Sequence, residues 1–171
     1  MAKLIPCLPV PELKVQTTDG TVWNLFKQTP DNFTMVVFYR GFHCPICKKY
    51  LIELQSKLTD FIGLGVHVIA ISGDTDKRAL ETKKKWGLEN LMIGFGISIE
   101  EARKWGLFIS KRIDEKEPDI FIEPGLFLIK PDGTLYASII STMPFVRPSF
   151  REILSSIDII VNNDYPARGE A

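Results

Sequence analysis

Little cysteine, little histidine, no surplus charge and no long apolar run mark this chain. Cysteine occurs three times in 171 residues, as Cys7, Cys44 and Cys47. That is too few for the disulfide scaffold of a small secreted domain. Lysine plus arginine is 21, and aspartate plus glutamate is also 21. With no net field, nothing favours nucleic acid or an anionic membrane. No stretch approaches the ~20 apolar residues of a membrane span. Met1 to Cys7 carries a single basic residue and is interrupted by Pro6, so no signal peptide is expected. These absences predict a soluble, cytoplasmic protein with no nucleic-acid or membrane partner. Histidine is limited to His43 and His67. A structural zinc site takes about four ligands, and one cysteine pair with distant histidines does not supply a second ligand pair. No metal is expected.

What is present is ordinary for a globular protein: 45% hydrophobic and 25% charged residues. The length suits one domain over residues 1–171, with residues 162–171 as a polar C-terminal tail. Leu13, Val15 and Thr17 alternate with polar residues, Asp19-Gly20 turns, and Val22 to Leu25 follows, which predicts a β-hairpin. Thr34 to Tyr39 and Val66 to Ile71 are apolar runs expected of central strands. Between them Cys47, Leu51, Leu54, Leu58 and Phe61 mark one face of a single helix that Gly63 and Gly65 end.

A helix from Thr75 to about Trp86, stopped by Gly87, comes next. Then come a short extended piece at Met92 to Phe95 and a brief helix opened by the capping box Ser98 to Glu101. Residues 109–120 are charged and poorly patterned, and read as a mobile loop. Leu126 to Ile129 and Leu135 to Ser141 form an antiparallel pair around Pro131-Asp132-Gly133. A second capping box, Ser149 to Glu152, opens the last helix. The order implies an α/β fold: a central mixed β-sheet flanked by helices, with an added N-terminal β-hairpin.

The chemistry concentrates at Cys44-Pro45-Ile46-Cys47, where a strand hands over to a helix. Pro45 suits the first helical position because its missing N–H is not needed there. Cys44 then becomes the N-cap and Cys47 the third helical residue. Free N–H groups and the positive end of the helix dipole stabilise a thiolate on Cys44. Lys48 and Lys49 add positive charge, and His43 is placed to donate to the sulfur. Two sulfurs at this spacing can cycle between dithiol and disulfide. Arg40 lies beside the same turn, and Cys7 is a free thiol that offers a further resolving or regulatory group.

The sequence resembles the AhpC/TSA peroxiredoxin-like redoxins of the thioredoxin-like superfamily. The residues that carry the likeness are the Leu13 to Leu25 hairpin, Phe38 to Cys47, Glu123 to Gly133 and the final helix. The resemblance implies a thioredoxin-like fold and a thiol-dependent antioxidant oxidoreductase. No bound cofactor is implied. An external thiol reductant of thioredoxin or glutathione type recycles the disulfide, and a homodimer is left open.

Two patterns compete. Peroxiredoxins carry Pro, three residues, Thr, two residues, then the peroxide-reactive Cys. Here those places hold Arg40, Cys44 and Cys47, and the family's strand-start arginine is replaced by Pro124. The thioredoxin pattern implies Cys44 as nucleophile, Cys47 as resolving thiol and Pro124 as a cis-proline facing them. Arg147 resembles a second peroxiredoxin-type arginine that approaches the active-site loop. Thiol–disulfide exchange is the first expectation. Reduction of hydrogen peroxide or alkyl hydroperoxides with Cys47 attacking is the second. A non-catalytic redox-sensing module is the third.

Overall fold

The computed structural model describes residues 4–171; Met1 to Lys3, on which part of the signal-peptide reading falls, lie outside the described residues. The described residues form nine strands and five α-helices. Six consecutive buried residues make the central strand β3 (Phe33–Phe38). It pairs in parallel with β4 (Val66–Ile71), Met35 facing Val68, and antiparallel with β8 (Gly125–Ile129), Phe38 facing Gly125. The sheet extends through β5 (Ile93–Phe95) to the hairpin β1 (Lys14–Thr17) and β2 (Val22–Asn24). On the other side it ends at β9 (Leu135–Ile140). This is the mixed sheet and added hairpin that the sequence predicts.

Side chains of β3 alternate between two cores, as a period of two requires. Met35 and Val37, with Tyr39 just past the strand, join Leu51, Leu54 and Phe61 on one face. Val36 and Phe38 meet Trp105, Leu107 and Phe127 on the other. The cysteines belong to the first face. There α1 (Pro45–Ser56) packs with α5 (Phe150–Asn163), whose Phe150, Ile153 and Ile157 are buried. The expected tail therefore begins as the last turn of α5. Beyond it, Tyr136 Oη donates to the carbonyl of Tyr165 at 2.9 Å.

Three expectations need correction. The single helix through Phe61 is two, α1 and α2 (Leu58–Gly63), broken at Lys57. The Ser56 hydroxyl donates back to the Glu53 carbonyl and Lys57 N–H bonds Leu54 O, tightening the turn while the apolar face continues. Residues 109–120 are not a loop throughout. Ile109–Lys111 (β6) and Ile120–Ile122 (β7) pair as a separate two-stranded hairpin. Both Phe121 and Ile122 are buried, Ile122 in the core with Trp105 and Leu107 and Phe121 on the opposite face. At α5, Ser149 Oγ accepts from Glu152 N–H at 3.4 Å, but the return bond of a capping box is not made. By contrast Ser98 opens α4 (Ile99–Lys104) with both bonds in place.

The helix α3 (Asp76–Trp86) is capped by Thr75 and stops at Gly87 in the left-handed region, as expected. Among the described residues, no helix is long and apolar enough to cross a membrane.

Candidate active site

The strand β3 ends at Phe38, and the chain turns through Arg40 to Cys44 before α1 begins. Cys44 is the N-cap, Pro45 the first helical residue, and Cys47 N–H donates to Cys44 Sγ at 3.1 Å. The two sulfurs are joined as a disulfide with their Cα atoms 5.2 Å apart. Cys44 is 2% and Cys47 1% exposed, so neither sulfur is offered at the surface.

A buried carboxylate that sequence reasoning missed holds the loop ahead of the cysteines. Asp74, between β4 and α3, accepts from Phe42 N–H at 2.7 Å and from Arg78 Nε at 2.9 Å. Gly41 has φ +132°, and a Cβ there would lie 2.8 Å from Asp74 Oδ1. Only glycine lets this backbone come so near the carboxylate. Phe42 then stacks on Trp86, with ring centroids 6.0 Å apart. The only advance sign of the clamp is the Asp74–Arg78 spacing of four residues at a helix start.

The β6–β7 hairpin forms a second wall. Phe121 and Glu123 are two residues apart on an extended segment and so share a face. The Arg40 guanidinium lies 4.7 Å over the Phe121 ring, and the His43 ring meets the same phenyl at 4.8 Å. Arg40 pairs with Glu123 Oε1 at 3.5 Å and with Glu117 at 3.8 Å. Glu123 is nearly buried and also accepts from Ser110 Oγ at 2.6 Å. Burial lowers the pKa of His43 below its ordinary value, against the opposing pull of Asp74.

Arg147 lies in the segment that returns from β9 to α5. Its Nη1 donates to the carbonyls of Met143, Pro144 and Val146, the last at 2.8 Å. With Ile46, Tyr50 and Phe145 it lines a groove of about 300 Å³ beside the helix start. Tyr50 closes one side, donating to Pro148 O at 2.9 Å and stacking on Phe150. Burial lowers the Arg147 pKa, while Glu123 and Tyr50 act to raise it.

The structure thus brings Arg40 and His43 together around Phe121, and it seats Arg147 in the separate groove with Ile46 and Tyr50 at the helix start. Pro124 sits where expected, just before Gly125, which pairs with Phe38 at the end of β3. Its peptide bond is trans, because among the described residues no peptide bond is cis. This corrects the expected cis-proline. Glu123 N–H is already fixed to Phe108 O at 2.8 Å, and the chain runs extended from β7 into β8, a path the ordinary trans bond follows.

Cys7 is the free thiol expected. It is exposed, and its N–H bonds Leu135 O at the start of β9, the end of the sheet remote from Cys44. That places it at the far end of β9 from Ile140, which pairs with Gly125 near the end of β3.

A model of the AhpC/TSA family matches residues 8–138. Among solved structures, peroxidoxin BcpB from Mycobacterium tuberculosis is similar at TM-score 0.75 and 16% identity, covering 92% of this chain and 99% of that one. A mutant of peroxiredoxin 6 from Arenicola marina aligns at TM-score 0.80 and 19% identity, over 95% of this chain and 76% of that one. A mutant of PrxQ from Xylella fastidiosa aligns at TM-score 0.76 and 16% identity, over 94% and 99%. Curated proteins give no match. At such identities the structures establish the shared thioredoxin-like fold, and the family model spans the strands, the cysteine turn and the hairpin wall described above. The chain belongs to the AhpC/TSA family and is an oxidoreductase of that thiol-dependent class.

Proposed function

We propose that the protein reduces hydrogen peroxide or a small alkyl hydroperoxide, with Cys47 as the attacking thiol and Cys44 as the resolving one. The observation that carries this is burial: both cysteines are at most 2% exposed. A hydroperoxide is small enough to reach a recessed sulfur. A protein disulfide needs a sulfur presented for in-line approach by a bulky partner. The trans bond at Pro124 also leaves the thioredoxin pattern without its cis-proline. Cys47 occupies the family's peroxide-reactive place, with Cys44 standing where the family has threonine.

In the first step the Cys47 thiolate attacks one peroxide oxygen and the O–O bond breaks. The departing oxygen takes a proton and leaves as water or an alcohol, and Cys47 becomes a sulfenic acid. The Cys44 thiolate then attacks the sulfenic sulfur; hydroxide leaves, is protonated to water, and the disulfide forms. Two small monothiols of glutathione type, which like the peroxide can reach a recessed sulfur, return two electrons and are themselves oxidised to a disulfide. A cytoplasmic setting, where such thiols are kept reduced, suits this cycle.

The test follows each sulfur separately. Cys44→Ser should still react with hydrogen peroxide and accumulate a sulfenic acid that dimedone traps, while Cys47→Ser should not react. If instead Cys47→Ser keeps forming mixed disulfides and Cys44→Ser is inert to peroxide, the activity is thiol–disulfide exchange with Cys44 attacking, as its N-cap position favours. If the wild-type pair turns over neither substrate, the pair is a redox sensor.

A further inference from the structure

His43 has one ring nitrogen occupied and one empty. Its Nδ1 lies 3.4 Å from Arg78 Nη2. A guanidinium only donates, so Nδ1 accepts and the neutral ring carries its proton on Nε2. Arg78 is itself fixed by Asp74, whose side chain is 1% exposed. The other oxygen of that carboxylate holds Phe42 N–H, one residue from His43. One buried group therefore sets both the loop and the guanidinium that chooses the tautomer. Phe121 closes another side of the imidazole. What remains is Nε2–H, buried and without a partner among the described residues.

Buried donors are nearly always paired, so an orphan at a redox site points to an acceptor that arrives in another state of the cycle. The next residue in the chain is Cys44. In the disulfide its sulfur is a weak acceptor; once the bond opens it becomes a thiol or thiolate, a far better one. We propose that the Asp74–Arg78–His43 relay presents His43 Nε2–H to the Cys44 sulfur in the reduced protein and so holds that thiol toward its thiolate. Asp74 and Arg78 are positioning residues; His43 is the donor. The inference rests on the dithiol cycle proposed above, and within it governs the resolving step. Burial keeps the imidazole neutral near pH 7, and Asp74, Arg78, Arg40 and Glu117 are the charged groups that act on it.

The test uses the full chain carrying Cys7→Ser and Cys47→Ser, so that Cys44 is the single thiol. Its alkylation by iodoacetamide is followed against pH. His43→Phe should raise the midpoint by about one unit, a tenfold loss of thiolate well below it. His43→Gln, whose amide N–H stands in for Nε2–H, should restore most of the loss, and Arg78→Met should give part of it. In the reduced protein without substitutions, 15N chemical shifts should show His43 neutral and protonated on Nε2. This second measurement decides the matter even if a variant folds poorly. An unmoved midpoint in His43→Phe, a glutamine no better than phenylalanine, or a ring protonated on Nδ1 would overturn the relay. Failure of the peroxide reading is seen elsewhere, in the reaction of Cys47 with peroxide in Cys44→Ser.

Discussion

Two thiol neighbourhoods sit at opposite ends of one sheet. Along β9 alone, Leu135 beside Cys7 and Ile140 beside the active-site pole are about 17 Å apart. At one end Cys44 and Cys47 are buried at the start of α1, just after the turn that carries Arg40 and His43. At the other, Cys7 is exposed on an irregular segment with φ +68°. The more accessible thiol is the one without a built surrounding. Reactivity toward peroxide follows thiolate stabilisation as well as access, so the buried pair is the expected centre and Cys7 a bystander.

The largest effect that would break this contrast is in turnover. Cys47→Ser should lower peroxide consumption by on the order of 10³-fold or more, whereas Cys7→Ser should stay within about twofold, read as peroxide loss at saturating reductant. Equal losses would mean that Cys7 takes part.

The next effect is in stability. Gly41→Ala places a methyl against a buried carboxylate at a positive φ, and should cost about 2–4 kcal/mol in urea unfolding. Gly133→Ala at the opposite pole, also at positive φ, meets only the half-exposed Phe26 ring, which can swing aside; about 1 kcal/mol is expected.

Arg40→Met leaves Glu123 nearly buried without its cation and should destabilise by about 1–3 kcal/mol, with Glu123→Gln added in the same chain recovering part of it. The smallest effect runs the other way. Cys7→Gly relieves a left-handed conformation at an exposed site and should stabilise by about 0.5 kcal/mol in the same unfolding measurement.

Local signals carried much of this into the sequence. Pro45 at the first helical position, Gly87 at a helix stop and the Ser98–Glu101 box are contacts between residues at most a few apart, and each appears as expected. The central strands were legible because burial on both faces leaves continuous apolar runs. The walls of the site were not. Asp74 reaches Phe42 across 32 residues, and nothing in Ser72-Gly73-Asp74-Thr75 beyond a helix cap announces it. The β6–β7 hairpin hid because its strands are three residues each and the residues between them are charged. Pro124 showed the limit of pattern. A proline before a strand fits both isomers, and here the chain takes the trans one.

The close approach of Gly41 to Asp74 also imposes an order on sequence drift. A smaller residue at 74 leaves a void beside a glycine, a loss of contacts the fold can survive. A larger residue at 41 arrives where the carboxylate already stands. A change at 74 would open the space but not the backbone, since φ +132° at 41 strains any side chain; of these two positions, 33 apart in sequence, 74 is the freer to drift and 41 stays glycine.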